Sequence, residues 1–142
     1  MLNRSPATLS AVVIDDEKLA REELTFLLKS FPDVEVAGTG ENGLEAVELI
    51  ERLEPDIAFL DVQMPELDGV GVLNALGPER VPEVIFTTAH AEYMERAFEV
   101  HAIDYLRKAF REARFREALH HAKRRILARW AVPAKAEKSR IG

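Results

Sequence analysis

Three short apolar runs punctuate the chain: Ala11-Val12-Val13-Ile14, Ile57-Ala58-Phe59-Leu60 and Val84-Ile85-Phe86. Each is continuous rather than alternating, which predicts strands covered on both faces, the habit of parallel sheets. Weaker strand patterns lie at Val34–Gly38 and Ala102–Leu106. Between the strands, apolar residues recur at steps of three and four. Ala20, Leu24, Leu27 and Phe31 form one such stripe, and Leu44, Val47, Ile50 and Leu53 a second. Asp68-Gly69 opens a short third helix around Val72, Leu73 and Leu76; Ala91–Val100 is a fourth. Phe115, Leu119, Ala122, Ile126 and Trp130 mark a fifth. A β-α unit repeated five times predicts an α/β fold: a (βα)5 doubly wound, five-stranded parallel sheet with right-handed crossovers and helices on both faces.

At 142 residues the chain fits one domain with a full-sized core. Residues 1–10 read as a disordered or extended N-terminus and 11–130 as the domain. Residues 131–142 lose periodicity in favour of Ala, Lys, Glu, Pro and Ser, so they read as a linker. No apolar run is long enough to cross a membrane, and Met1 to Ser10 lacks the apolar core of a secretory signal, so a cytoplasmic protein is expected. The absence of cysteine excludes disulfides, thiol catalysis and cysteine-ligated metals. Charge is divided unevenly. Residues 1–106 carry 7 Lys+Arg against 22 Asp+Glu, whereas 107–142 carry 12 against 3. A basic segment on an acidic body suits partner or nucleic-acid contact, and equally a solvated helix face leading to a linker.

The chemistry gathers where the apolar runs stop. In open parallel sheets the functional crevice lies outside the carboxyl ends of the strands. The first strand ends in Asp15-Asp16-Glu17, the third in Asp61 and the fourth in Thr87-Thr88; the fifth is followed by Lys108. Carboxylates brought this close raise one another's pKa unless a cation sits between them. No His or Cys accompanies them, and an all-oxygen set of this kind suits Mg²⁺, which binds through one or two carboxylates plus a phosphate.

This pattern resembles the receiver domains of two-component response regulators, over roughly residues 11–128. The motifs are Val12-Val13-Ile14-Asp15-Asp16-Glu17, Phe59-Leu60-Asp61-Val62-Gln63-Met64-Pro65, Asp68-Gly69, Thr88-Ala89 and Tyr105-Leu106-Arg107-Lys108. Leu19-Ala20-Arg21-Glu22 and the stretch from Ala97 to Tyr105 are similar to the LytTR-type subfamily, in which the receiver precedes a β-rich DNA-binding domain. No such domain lies within these residues, so DNA is expected to be reached only through a further C-terminal domain. The resemblance implies a flavodoxin-like, CheY-like three-layer sandwich and a phosphoacceptor switch rather than an enzyme. It makes Asp61 the phosphoacceptor, fed by a sensor histidine kinase. It assigns Mg²⁺ to Asp16, Asp61 and the backbone carbonyl of Gln63, with Asp15 acting partly through water. Lys108 and the Thr88 hydroxyl would hold phosphoryl oxygens. Thr88 and Tyr105 would carry the switch to a homodimer face made by the fourth helix, fifth strand and fifth helix. Arg124 and Arg125 would pair there with acids such as Glu95 and Glu99.

One departure stands out. The family has proline after the lysine, in a cis bond that aims the ammonium; here the residue is Ala109. Cis bonds before other residues cost about 3–4 kcal/mol, so Lys108 is expected in a trans arrangement that reaches the site less well. Two rival readings remain. Gly38-Thr39-Gly40-Glu41-Asn42-Gly43 matches a dinucleotide fingerprint with Asp61 about 20 residues on. A Mg²⁺-dependent aspartyl phosphohydrolase would also use Asp61, but wants an acid two residues later, where Gln63 stands.

Overall fold

The structure is a computed structural model that describes residues 8–77, 81–89 and 104–141, from 130 onward by backbone alone. The strands are β1 (Leu9–Ile14), β2 (Val34–Gly40), β3 (Ile57–Asp61), β4 (Glu83–Thr88) and β5 (Asp104–Arg107). The helices are α1 (Lys18–Leu28), α2 (Gly43–Leu53), α3 (Gly69–Ala75) and α4 (Glu112–Ile141), the last being the fifth helix of the sequence reading. The expected helix at Ala91–Val100 lies outside the described residues. The five strands form one sheet in the order β2-β1-β3-β4-β5, every pairing parallel. This is the predicted doubly wound fold, and β1 and β3 meet at its centre.

Two apolar cores follow from the crossovers. One face of the sheet (Val12, Ile14, Ala58, Leu60, Phe86) packs on α2 and α3 through Ala46, Leu49, Ile50, Val72 and Leu73. The other (Val13, Phe59, Ile85, Leu106) packs on α1 and α4 through Leu24, Leu28, Phe115, Leu119 and Ile126. The continuous apolar runs are therefore explained: alternate residues of one strand enter different cores, and none meets water.

Several details depart from the expectation. β1 begins at Leu9, which is buried, so the strand takes in the last two residues assigned to the N-terminal segment. In α2, which Asn42 caps by accepting from the Glu45 N–H, Leu44 is exposed; Ala46, Leu49 and Ile50 are buried, with Val47 and Leu53 packed against the same core. The backbone of α4 continues past Trp130 and through Pro133 to Ile141. Ala131, Ala134, Ala136, Lys135, Glu137 and Lys138 are strong helix formers, which accounts for helix where lost periodicity suggested a linker. Among the described residues no helix is long and apolar enough to cross a membrane.

Candidate functional site

The register places the ends of β1 and β3 side by side, Ile14 opposite Leu60, so the residues that follow meet at the carboxyl edge of the sheet. Asp15 and Asp61 are both buried there, and Asp16 is exposed. Each of the three offers a carboxylate oxygen, and these oxygens lie within 4.8 Å of one another. Local backbone donors fix two of the carboxylates: the Glu17 N–H donates to Asp15 Oδ1 at 2.9 Å, and the Gln63 N–H to Asp61 Oδ1 at 3.1 Å. Asp61 nonetheless opens onto a cleft of about 430 Å³ lined also by Asp16, Glu17, Gln63, Met64, Pro65 and Lys108.

The loop below this cleft is held by close backbone contact. The Gly69 N–H donates to the Val62 carbonyl at 2.8 Å, and Asp68 caps α3 by accepting from the Gly71 N–H at 2.7 Å. A Cβ on Gly69 would stand 2.7 Å from the Asp61 carbonyl oxygen, 2.9 Å from Phe86 Cε1 and 3.0 Å from Val62 Cα. Two of those neighbours are backbone and cannot swing aside. Gly69→Ala is therefore expected to cost about 1–3 kcal/mol in urea denaturation; a loss under about 0.5 kcal/mol would mean that the loop has room after all.

Lys108 reaches the site, against the expectation drawn from Ala109. Its ammonium lies 2.9 Å from Glu17 Oε1, 3.0 Å from Asp15 Oδ2 and 3.4 Å from Asp61 Oδ2. No cis peptide bond occurs among the described residues. Instead the Lys108 N–H donates to the Thr88 carbonyl at 2.6 Å, extending the β4–β5 ladder by one residue, and Ala109 turns the chain away with φ 67°. That left-handed backbone costs an alanine about 1–2 kcal/mol. It keeps the lysine in line with its strand, over the neighbouring strand ends.

Burial and the nearby Asp15 charge push the Asp61 carboxyl up to about 7, although Lys108 and the Gln63 N–H oppose them. The Lys108 ammonium is held well above its ordinary range, the bonds it donates to Glu17 and Asp15 outweighing its partial burial. Glu17 is correspondingly held below the usual carboxylate range by Lys108. Like charge thus accumulates at Asp61, and one lysine compensates it in part.

The remaining expected residues are distributed around this centre. Thr88 is buried at the end of β4, one strand from Asp61, and Tyr105 is half-buried on β5 opposite Phe86. Gln63 lines the cleft with its side chain exposed, at the position where a phosphohydrolase would want an acid. The glycines of the apparent dinucleotide fingerprint face protein: Gly38 faces Leu49 and Leu53, Gly40 faces Ile14 and Leu49, and Gly43 faces the Leu67 backbone. Asp61 stands two strands away from β2, at the end of β3, out of place for that fingerprint. Glu95 and Glu99 lie outside the described residues. Arg125 is engaged within the chain: its Nε donates to buried Glu83 at 2.8 Å, with Arg129 3.4 Å from the same carboxylate.

Sequence reasoning missed several polar ties. Arg21 donates to the Asp15 carbonyl at 2.7 Å and so braces the loop after β1. Arg114 holds Asp104 at 2.6 Å and the Tyr105 carbonyl at 2.9 Å, fastening β5 to α4. Burial opposes ionisation of Asp104, yet Arg114 and the Tyr105 N–H together hold its carboxyl below the ordinary range.

Comparison with known proteins agrees with this geometry. The family model "Response regulator receiver domain" matches residues 11–120. The transcriptional regulatory protein BtsR of Salmonella typhi is 43% identical over 112 residues, covering 79% of this chain and 47% of the relative. An uncharacterized response regulatory protein of Vibrio cholerae serotype O1 is 49% identical over 100 residues, covering 70% and 42%. The chain thus spans about half the length of these curated relatives. Among solved structures, the signal receiver domain of the putative response regulator NarL from Mycobacterium tuberculosis superposes with a TM-score of 0.76 at 30% identity, covering 84% of this chain and 98% of that one. The REC domain of AraT, a response regulator from Geobacillus stearothermophilus, gives 0.77 at 28% identity, covering 87% and 98%. With the acidic strand ends, the lysine beyond β5 and the family model in agreement, the chain belongs to the response regulator receiver family.

Proposed function

We propose that this chain is the phosphoacceptor switch of a two-component pathway, receiving a phosphoryl group on Asp61 from a sensor histidine kinase and passing the change to a transcriptional output. The observation that carries the reading is one acidic centre: Asp61 in an open cleft, carboxylates of Asp15 and Asp16 beside it, and the Lys108 ammonium 3.4 Å from its oxygen. An Asp61 Oδ attacks phosphorus, the P–N bond to the donor imidazole breaks, and the neutral donor leaves with a proton taken from solvent. Lys108 lies where it can donate to an oxygen of the transferred group.

The donor set fits Mg²⁺. It is all oxygen, and although burial is the larger cause of the rise at Asp61, the part that comes from the Asp15 charge is repulsion that a divalent ion relieves. Asp15, Asp16, Asp61 and the Gln63 backbone carbonyl would hold the ion. Bound there, Mg²⁺ supplies charge neutralisation for the carboxylates and the transferring oxygens. Because Asp61 keeps its proton up to about pH 7, that proton must leave on binding. Magnesium affinity measured by calorimetry should be about tenfold weaker at pH 6 than at pH 8; equal affinities would mean that Asp61 is already ionised or takes no part.

Phosphorylation brings about two negative charges, and Thr88 at the end of β4 and Tyr105 on β5 are the residues through which the fold would register them. The affected face, including the fourth helix of the sequence reading, would form a homodimer. The names of the BtsR relatives, transcriptional regulatory proteins, support an output in transcription; a LytTR-type DNA-binding domain as its carrier, in the cytoplasm, is the reading drawn from the sequence motifs. The test is incubation with Mg²⁺ and acetyl phosphate followed by intact mass. One phosphoryl group per chain is expected, and none in EDTA. Multiple turnover of an unrelated phosphate ester would instead favour a hydrolase.

A further inference from the structure

Glu17 has no part in the scheme above, yet it makes the shortest contact to Lys108, 2.9 Å. An ammonium has three N–H donors. Here three carboxylates surround it, those of Asp15, Glu17 and Asp61. A phosphoryl oxygen arriving at the cleft must therefore take a donor already in use, and the three partners differ in what their release entails. The Asp15 side chain is only 7% exposed, so losing the lysine would leave a buried charge short of compensation. Asp61, whose side chain is 4% exposed, becomes the acyl phosphate itself, so its charge passes to the phosphoryl group and stays beside the lysine. The Glu17 side chain is 65% exposed, and water can replace its partner at little cost.

The local backbone keeps Glu17 available for this. It is the N-cap residue of α1, yet its side chain caps nothing, and its N–H is bound to Asp15 Oδ1 at 2.9 Å. The carboxylate is thus held above the cleft by its main chain and is free to face the lysine. We propose that Glu17 is a positioning residue, a displaceable counter-ion that steadies the Lys108 ammonium at the mouth of the cleft and yields the lysine N–H it accepts to an oxygen of the incoming phosphoryl group. This rests on the phosphoacceptor reading and adds to it a residue that sets how readily the lysine engages.

The test uses the whole chain with Mg²⁺ and beryllofluoride, a phosphoryl mimic. Glu17→Gln should bind beryllofluoride roughly two- to fivefold more tightly than wild type. Glu17→Asp keeps the charge but falls one methylene short of the ammonium, and should move in the same direction. Glu23→Gln is the control for general charge, because Glu23 lines the neighbouring groove with Lys108 without bonding its ammonium, and it should leave binding unchanged. NMR of the lysine ammonium gives a readout independent of affinity. The Lys108 signals of wild type and Glu17→Gln should differ in the free protein and coincide once beryllofluoride is bound. Equal affinities for wild type and Glu17→Gln, an equal gain in Glu23→Gln, or signals that still differ in the bound state would each overturn the role of Glu17. Those results would leave phosphoacceptance standing. Failure of wild type to take up beryllofluoride would remove both.

Discussion

Asp61→Asn is expected to abolish uptake of a phosphoryl group from acetyl phosphate while making the metal-free protein more stable at pH 8. The first effect follows from chemistry: an amide oxygen in that place is a poor nucleophile and cannot form the acyl phosphate. The second follows from the burial of a carboxylate beside another carboxylate. Below about pH 4 the carboxyl is protonated in both folded and unfolded chains, and it contributes no penalty. Between about pH 4 and about 7 the unfolded chain ionises while the folded one keeps its proton, so stability falls as pH rises. Above about 7 the full penalty is present, and asparagine escapes it. A gain on the order of 2 kcal/mol at pH 8, vanishing near pH 4, is the expected size for a shift of this kind shared among coupled groups. Urea denaturation in EDTA at the two pH values measures it, and intact mass measures the first effect. A variant that still acquires a phosphoryl group would place the acceptor elsewhere. A variant no more stable at pH 8 than wild type would mean that Lys108 fully offsets the crowding.

The two halves of that expectation show what was legible in the sequence. Parallel strands buried on both faces leave continuous apolar runs, so β1, β3 and β4 could be read directly, and the polar residues closing each run marked the edge where the site lies. Asp15, Asp16, Asp61 and Lys108 are indeed brought to one place. Glu17, in the same tripeptide as the two aspartates, carried no sign of its bond to a lysine 91 residues away. Arg114 with Asp104, and Arg125 with buried Glu83, were invisible for the same reason. An ion pair between separate elements follows no period; it depends on where two backbones end up. Ala109 misled in a related way. Without proline the lysine was expected in a trans arrangement that reaches the site less well; the bond is trans, but a left-handed alanine and a hydrogen bond to the Thr88 carbonyl carry the lysine over the site. In α2 the expected stripe faces the core at Val47, Ile50 and Leu53, and only Leu44, in the first turn, is exposed.

Phe115→Ala should produce the largest loss of stability, about 3–5 kcal/mol, in a domain whose whole stability is about 5–15 kcal/mol. Phe115 is fully buried in the first turns of α4, and its ring lies 5.5 Å from Phe31, 5.5 Å from Phe59 and 5.9 Å from Phe110. Those partners come from the loop between α1 and β2, the middle of β3 and the segment after β5. The cavity left by alanine would open at the centre of that core, where backbone from three elements cannot collapse into it. Phe59 stands two residues before Asp61, and Phe110 two residues after Lys108. One ring therefore braces both segments that bear the reacting carboxylate and its lysine. Phe115→Leu retains most of the volume and should lose about 1–2 kcal/mol, with phosphoryl uptake close to wild type. Phe115→Ala should bind Mg²⁺ more weakly as well as unfold at lower urea, because the strand ends are no longer held in register. Urea midpoints for the three proteins decide the matter. A loss below about 1 kcal/mol for the alanine variant would mean that the aromatic cluster does not hold α4 to the sheet, and that the site is braced chiefly by polar ties such as Arg114 to Asp104.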